Sequence, residues 1–482
     1  MTTLSLRDYQ VNTIQKTRLG FAEHQRQIMV LPTGGGKTVV FSEIVAAAAR
    51  KGNRVLVLTD RTELHYSTIE SIKPYFIRYT TVDATSKYFD KEASVYISMV
   101  ETFKRRFDKY LSGIKFDLII ADEAHMGNFS TVYDLLPDAR VIGATATPVG
   151  KHLYKYFTNI IQEIDTPDLV EQGFLVPCRP FQMVDDFSDL KAGIGDFSEQ
   201  SNFEHFDKKG LYDGVITEWQ NRANGVKTIV FCVNIEHTKN TCQAFIDAGI
   251  SADYITSNTT KEERERVLKA YKDGFITVLV NCGILTKGYN EPSIQCVIVN
   301  RATTSLALWL QMVGRGSRLH PGKKDFLLLD FGGNHTRPGL GMWNKYRIWE
   351  LNPPKKKMES VAPCKSCPKC QAILPASARV CEYCNHEFEK PTAELKEGKM
   401  VEVKPEIPEH IKGRRYSDLD LMELWSLQKL GLTKPTYVWR IVRARGAQAV
   451  KDYAKICGYK YNWVIQELKK LDDCQFNDKI IN

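Results

Sequence analysis

The sequence predicts an α/β protein with two tandem parallel-sheet lobes, then a small cysteine-bearing module and a mainly helical, basic C-terminal domain. Three observations carry this prediction. Short apolar runs alternate with helical patterns over residues 27–146 and again over 227–332, as parallel strands covered by helices require. Five of the 12 cysteines fall between Cys364 and Cys384. Residues 351–482 carry 24 Lys+Arg against 17 Asp+Glu, a net +7 out of +9 for the whole chain. The expected divisions are lobe 1 over 1–165, an inter-lobe linker and insertion over 166–212, lobe 2 over 213–350, the cysteine module over 351–390 and the basic domain over 391–482.

In lobe 1, Ile28-Met29-Val30-Leu31 reads as a strand and Val39-Val40-Phe41 opens a helix. Between them lies Pro32-Thr33-Gly34-Gly35-Gly36-Lys37-Thr38. Strand, glycine loop, lysine, hydroxyl and helix is the order that cradles a nucleotide phosphate. Glycines let backbone N–H groups turn toward phosphate oxygens, and the helix N-terminus adds its positive end. Lys37 is placed to reach the β- and γ-phosphates, and Thr38 to hold Mg²⁺. Leu31 stands where the general pattern puts its outermost glycine.

Further strands are expected at Arg54-Val55-Leu56-Val57-Leu58 and Val95-Tyr96-Ile97-Ser98. The run Phe116-Asp117-Leu118-Ile119-Ile120-Ala121-Asp122-Glu123-Ala124-His125 reads as a buried parallel strand ending in two acids. Ligands of open α/β sheets bind at such C-terminal strand ends. Asp122 is therefore assigned to Mg²⁺ and Glu123 to polarising the attacking water.

Asp122-Glu123-Ala124-His125 and the Gly36-Lys37-Thr38 loop together resemble the motor core of superfamily-two, DEAH-type helicases, and other motifs follow in that family's order. Leu6-Arg7-Asp8-Tyr9-Gln10 is similar to the adenine-reading motif, which implies adenine contact for Gln10 and Arg7. Leu58-Thr59-Asp60-Arg61-Thr62-Glu63-Leu64 and Ser98-Met99-Val100-Glu101-Thr102-Phe103 resemble nucleic-acid-contact motifs, implying roles for Arg61, Thr62, Ser98 and Thr102. Gly143-Ala144-Thr145-Ala146-Thr147-Pro148 resembles the motif coupling hydrolysis to movement, through Thr145, Ala146 and Thr147. Thr286-Lys287-Gly288-Tyr289-Asn290-Glu291-Pro292 resembles a motif touching nucleotide through Gly288 and Asn290 and nucleic acid through Thr286. Family members often carry Asp where Asn290 stands. Gln311-Met312-Val313-Gly314-Arg315-Gly316-Ser317-Arg318 resembles the arginine-finger motif, implying catalytic roles for Gln311, Arg315 and Arg318. The resemblance implies two RecA-like lobes that close on ATP, with lobe 2 supplying its arginines to a phosphate held by lobe 1.

Between the lobes, the prolines from Asp165-Thr166-Pro167 through Pro177-Cys178-Arg179-Pro180 mark a linker. Residues 185–210 are polar, with Gly193, Gly195 and Gly210, and read as a loop or mobile insertion. Lobe 2 is expected to use strands at Thr228-Ile229-Val230-Phe231-Cys232, Thr277-Val278-Leu279-Val280, Cys296-Val297-Ile298-Val299 and Phe326-Leu327-Leu328-Leu329. Asn352-Pro353-Pro354-Lys355-Lys356-Lys357 then breaks regular structure and favours exposure.

Cys367-Pro368-Lys369-Cys370 and Cys381-Glu382-Tyr383-Cys384 form two CxxC knuckles ten residues apart. Four thiolates at this spacing suit a closed, structural Zn²⁺ site, a zinc ribbon. Cys364 precedes Cys367 with the same spacing, and Cys364 or His386 stands as an alternative ligand. Farther on, Asp418-Leu419-Asp420-Leu421-Met422-Glu423-Leu424-Trp425 looks helical, and Gly431, Pro435 and Gly458 divide the remainder into short helices. Residues 411–460 hold 11 Lys+Arg against 4 Asp+Glu, with interleaved aromatics. That mixture suits phosphate contact and base stacking, though aromatics at helical spacing also suit a core.

The chain has 482 residues, 43% of them hydrophobic and 26% charged, the composition of a globular protein. No stretch approaches the length of a membrane-spanning helix, and the N-terminus lacks a basic region followed by an apolar core. A reducing cytosol is therefore expected, with the cysteines as thiols or metal ligands rather than disulfides. The ribbon's Cys-Pro-Lys-Cys, Ala378-Arg379 and Cys-Glu-Tyr-Cys, with Leu329-Asp330-Phe331-Gly332-Gly333-Asn334 before them, resemble the RadD-type bacterial DNA repair helicases and their phage-encoded relatives. This closer resemblance implies an ATP-dependent DNA helicase or translocase that unwinds or branch-migrates forked and junction DNA. ATP, Mg²⁺ and Zn²⁺ are the expected cofactors. The expected state is a monomer with no membrane partner, and a single-strand-binding protein is a candidate partner. Three alternatives stay open: an RNA helicase, the motor subunit of a restriction system, and a nucleotide-switched nucleic-acid clamp.

Overall fold

The computed structural model describes residues 5–84, 89–150, 152–183, 185, 187–286, 288–337, 339–351, 364–366, 373–375, 400–403, 407, 411–457, 459, 464 and 468. In lobe 1, β1 (Arg26–Val30), β2 (Val55–Thr59), β3 (Tyr79–Val82), β4 (Val95–Met99), β5 (Leu118–Asp122), β6 (Arg140–Thr145) and β7 (Asn159–Gln162) form one sheet. Its order is β3-β4-β2-β5-β6-β1-β7, and every pairing is parallel. The central strands are near-continuous apolar runs because helices cover both faces. Strand β6 lies between β1 and β5, pairing Val30 with Thr145 and Asp122 with Ala144. The glycine loop after β1, the acids ending β5 and Thr145 ending β6 therefore open on one edge of the sheet.

Lobe 2 repeats the plan with β8 (Cys178–Met183), β9 (Thr228–Phe231), β10 (Ala252–Ile255), β11 (Val278–Asn281), β12 (Cys296–Val299) and β13 (Phe326–Asp330), completed by β16 (Met400–Glu402). The order is β10-β11-β9-β12-β13-β8-β16, parallel except for β16 against β8. Two sequence expectations are corrected here. The stretch read as linker joins the second sheet at Cys178. Pro180 sits inside β8, opposite Leu328, although proline donates no ladder hydrogen bond. The stretch read as a loop contains the helix Glu199–Phe206. It is pinned by Asp196, whose carboxylate accepts from the Thr304 backbone N–H (2.6 Å) and the Thr303 hydroxyl (2.7 Å).

After β13 the chain returns to lobe 1. Trp349 and Leu351 pack on the lobe 1 core, and Gln162 Nε2 donates to the Arg347 carbonyl (3.3 Å). Strands β14 (Cys364–Ser366) and β15 (Ile373–Pro375) then pair antiparallel. Three helices, Leu421–Leu430, Pro435–Ala444 and Ala447–Cys457, close around Leu424, Leu427, Val438, Val442, Val450 and Tyr453. The first has a reciprocal Asp420–Glu423 capping box and ends at Gly431 in the left-handed conformation. This bundle docks on the inter-lobe segment, where Lys434 Nζ lies 3.0 Å from an Asp168 carboxylate oxygen. Among the described residues, no helix is long and apolar enough to cross a membrane.

Candidate active site

Gly34 (φ 84°) and Gly36 (φ 79°) turn the loop after β1 in the left-handed region, and Gly36 caps the helix Lys37–Arg50. The left-handed φ of Gly36 favours glycine there, and a Cβ would lie 2.4 Å from Gln10 Nε2, displacing that side chain from its place against the loop. The loop is held from behind by Tyr9, whose hydroxyl donates to the Gly35 carbonyl at 2.8 Å. Gln10 Nε2 donates to the same oxygen at 3.4 Å.

Lys37 Nζ lies 2.8 Å from Asp122 Oδ1 and 2.5 Å from Glu123 Oε1. Burial alone would push this ammonium toward neutrality, but Asp122 and Glu123 outweigh it and hold Lys37 charged well above the ordinary lysine range. Burial raises the Asp122 carboxyl, against the pull of Lys37. Glu123 has φ 58°, a left-handed conformation uncommon for a residue with a side chain. That kink ends β5 and swings the Glu123 carboxylate toward Lys37. His125 Nδ1 sits 3.3 Å from Glu123 Oε2 and 2.9 Å from the Thr145 hydroxyl. Thr145 Oγ1 in turn accepts from the Thr147 backbone N–H at 3.0 Å. Thr145 and Thr147 are buried, and Ala146 lines the cleft. Glu123 is thus linked through His125 to the Thr145–Thr147 turn.

Lobe 2 forms the facing wall. Gln311, Arg315, Arg318, Thr286, Gly288, Tyr289 and Asn290 share a cleft of about 420 Å³ with Pro32, Thr33, Gly34, Gly36, Lys37, Thr38, Asp122 and Glu123. Arg315 is buried and donates to the carbonyls of Tyr289, Thr286 (2.8 Å) and Gln311 (3.3 Å). Arg318 donates to the Tyr289 carbonyl at 2.9 Å. Burial pulls these guanidiniums down, Arg315 to about 9 and Arg318 to about 10, and Glu123 acts against that pull on Arg315. Two desolvated cations thus lie across the cleft from the phosphate loop, where an arriving polyphosphate would offset their burial. Asp122 and Thr38 supply hard oxygen ligands of the kind Mg²⁺ prefers, beside the Lys37 ammonium that a triphosphate requires. Mg²⁺ there would neutralise phosphate charge.

Other residues that sequence reasoning singled out are placed differently. Arg7 stacks its guanidinium 4.0 Å over the Phe174 ring, at the mouth of the Gln10 corner. Phe174 lies in the segment read only as linker, and only its aromaticity beside Gly173 could have flagged it. Leu64 and Ser67 also line the cleft unanticipated. Thr62 is exposed and Thr102 half-buried, while Arg61 Nη1 reaches the Gly283 carbonyl of lobe 2 at 3.4 Å. Ser98 and Thr286, expected to touch nucleic acid, are buried. Their hydroxyls donate inward, to the carbonyls of Val82 (2.8 Å) and Gly283 (2.8 Å). Their side chains fall on the core side of their segments, a distinction that motif spacing does not carry. Cys367, Cys370, Cys381, Cys384 and His386 lie outside the described residues, as does Lys287. Among the described residues no cluster of His, Cys, Asp and Glu is placed to hold a metal ion.

The family model for the type III restriction enzyme res subunit matches residues 3–150, and that for the helicase conserved C-terminal domain matches 209–320. A 51.5 kDa protein of a Lactococcus phage (isolate 7-9) is 30% identical over 368 residues, covering 74% of this chain and 77% of the phage protein. The chain belongs to the superfamily-two helicases. The helicase is also 30% identical over 359 residues to IRC3 of Saccharomyces cerevisiae, a protein provisionally named an ATP-dependent helicase. That match covers 68% of the helicase and 51% of IRC3, so the chain spans about half the length of that relative. Among solved structures, a fragment provisionally assigned as the HsdR subunit of a type I restriction enzyme from Vibrio vulnificus YJ016 shares the fold. Its TM-score is 0.55 at 24% identity, over 69% of the helicase and 66% of the fragment. The two lobes of the helicase are thus a motor core, an ATP hydrolase coupled to nucleic-acid translocation.

Proposed function

We propose that this helicase is a DNA translocase that remodels forked or junction DNA during replication, recombination or repair. The observation carrying the reading is the two-walled cleft, with Lys37, Asp122 and Glu123 on one wall and Arg315 and Arg318 on the other. In this reading Lys37 binds the β- and γ-phosphates, and Thr38 and Asp122 hold Mg²⁺. Glu123 takes the proton of the attacking water, and the two arginines stabilise charge on the γ-phosphoryl group. Gln10 and Arg7 contact the adenine. Closure on ATP and reopening after hydrolysis move a strand lying across both lobes. The excess of basic residues over 411–460, 11 Lys+Arg against 4 Asp+Glu, supports a grip on backbone phosphate. The ribbon cysteines belong to the same reading, and the pairing of β14 with β15 on either side of Cys367 and Cys370 supports a zinc knuckle there. Gently purified protein is expected to contain one zinc per chain by metal analysis. A value near zero would remove the ribbon.

The test of function is ATP hydrolysis against single-stranded DNA, plain duplex, a fork, a four-way junction and matched RNA, with Lys37→Ala as blank. Forks and junctions should stimulate most. Strongest stimulation by RNA, or by none of the five, would overturn the proposal. A second reading, the motor subunit of a restriction system, is favoured by the res-subunit match over residues 3–150. It requires a nuclease on another chain, and co-purification of one would favour it.

A further inference from the structure

Lys323 sits at the end of a tight turn, its backbone N–H donating to the His320 carbonyl at 3.0 Å past Gly322 at φ 79°. Its side chain is buried beneath the arginine loop. Nζ donates to the Gly316 carbonyl at 2.5 Å and the Pro292 carbonyl at 3.1 Å. The charged groups around it are Arg318, which repels it, and Glu291, which attracts it and is itself engaged by the Ser293 N–H (3.1 Å) and hydroxyl (2.5 Å). A buried ammonium held chiefly by carbonyls carries a desolvation cost that a turn built for stability alone does not require.

The place of the two carbonyls explains the choice. Gly316 stands between Arg315 and Arg318, and a Cβ on it would lie 2.3 Å from the Phe326 ring. The loop is therefore pressed against the sheet at its midpoint and cannot shift that way. Pro292 ends the segment whose Thr286 and Tyr289 carbonyls hold the two guanidiniums. Lys323 thus joins the loop that carries the arginines to the loop that orients them.

We propose that Lys323 is a positioning residue for ATP hydrolysis, fixing the spacing between the arginine loop and the Tyr289–Pro292 stretch so that both guanidiniums meet the γ-phosphate. The inference rests on the role proposed for Arg315 and Arg318 in the cleft. Burial, then Arg318, brings the Lys323 ammonium down to about 8. The full cation is therefore present below that pH and lost as pH rises through it.

The experiment compares K323M, K323R and Arg315→Ala in the full chain for kcat, KM and thermal midpoint. K323M should lose about 100-fold in kcat, the scale of a 1 Å misplacement of catalytic groups, with KM for ATP little changed and the midpoint lowered by the two carbonyls left unpaired but still well above the assay temperature. K323R should recover most of the loss. Undiminished kcat in K323M, or a loss matched by unfolding, overturns the proposal. If K323M does not fold, K323R decides. Its cation persists at high pH, so the fall in kcat expected of the wild type as pH rises through about 8 should move upward. A limb that stays in place overturns the proposal. Full activity in Arg315→Ala would sink the reading of the cleft itself, whereas an inactive Arg315→Ala beside an intact K323M sinks only this inference.

Discussion

Glu123→Gln should leave nucleotide bound and unhydrolysed. The substitution keeps the volume of the side chain and removes the one group placed to accept a proton from water. General-base contributions are typically about 10²–10⁴-fold, so kcat is expected to fall about 1,000-fold. Binding should hold or tighten. Glu123 Oε1 now engages Lys37 at 2.5 Å, and a neutral amide there competes less for the ammonium the triphosphate needs. The left-handed backbone at Glu123 (φ 58°) tolerates Gln no worse than Glu, so the thermal midpoint should not move. Affinity for a fluorescent ATP analogue and steady-state hydrolysis with and without DNA make the check. A kcat within tenfold of wild type would remove Glu123 from the role of base.

Arg315→Ala should have the other large effect, with a different signature. An arginine finger contributes about 10³–10⁵-fold to phosphoryl transfer, and Arg315 is the more buried of the two candidates. Loss at the upper part of that range is expected, because the side chain also secures the carbonyls of Thr286 and Tyr289. Removing it leaves buried acceptors unpaired, at about 1–3 kcal/mol each. Some loss of lobe 2 stability should therefore accompany the loss of kcat. Arg315→Lys separates the two effects: it restores charge without the planar fork, and should recover stability more than rate. Single-turnover hydrolysis beside thermal melts measures both. If Arg315→Lys hydrolyses ATP like the wild type, charge alone suffices and the bidentate geometry is incidental.

Lobe 1's half of the cleft was legible in the sequence because its chemistry needs unusual residues at fixed intervals. The left-handed glycines before Lys37 and the paired acids ending β5 leave little freedom of interpretation. Lobe 2's arginines were legible through motif order, although the carbonyls that aim them were not. What escaped depends on packing across long sequence distance. Phe174 comes to Arg7 only because the inter-lobe segment folds back over the phosphate loop. Pro180 argued for a linker, yet neighbouring strands overrode it. The helix Glu199–Phe206 looked like loop because its glycine-rich approach masks Phe203 and Phe206, which pack on the lobe 2 core. The hydroxyls of Ser98 and Thr286 turn to the carbonyls of Val82 and Gly283, an orientation that motif order does not encode.

The return of the chain to lobe 1 at Trp349 and Leu351 has a further consequence. All the residues assigned to the cleft precede Leu351, and both sheets are whole by then except for edge strand β16. Beyond Leu351, the described attachments to the lobes include β16 on β8 and the corner where Lys434 meets Asp168 and Gly431 packs on Lys345. If the basic C-terminal domain grips nucleic acid as proposed, engine and address would be separable in inheritance. One C-terminal part could then be exchanged for another that keeps an edge strand and the Lys434 corner, sending the same engine to a different substrate.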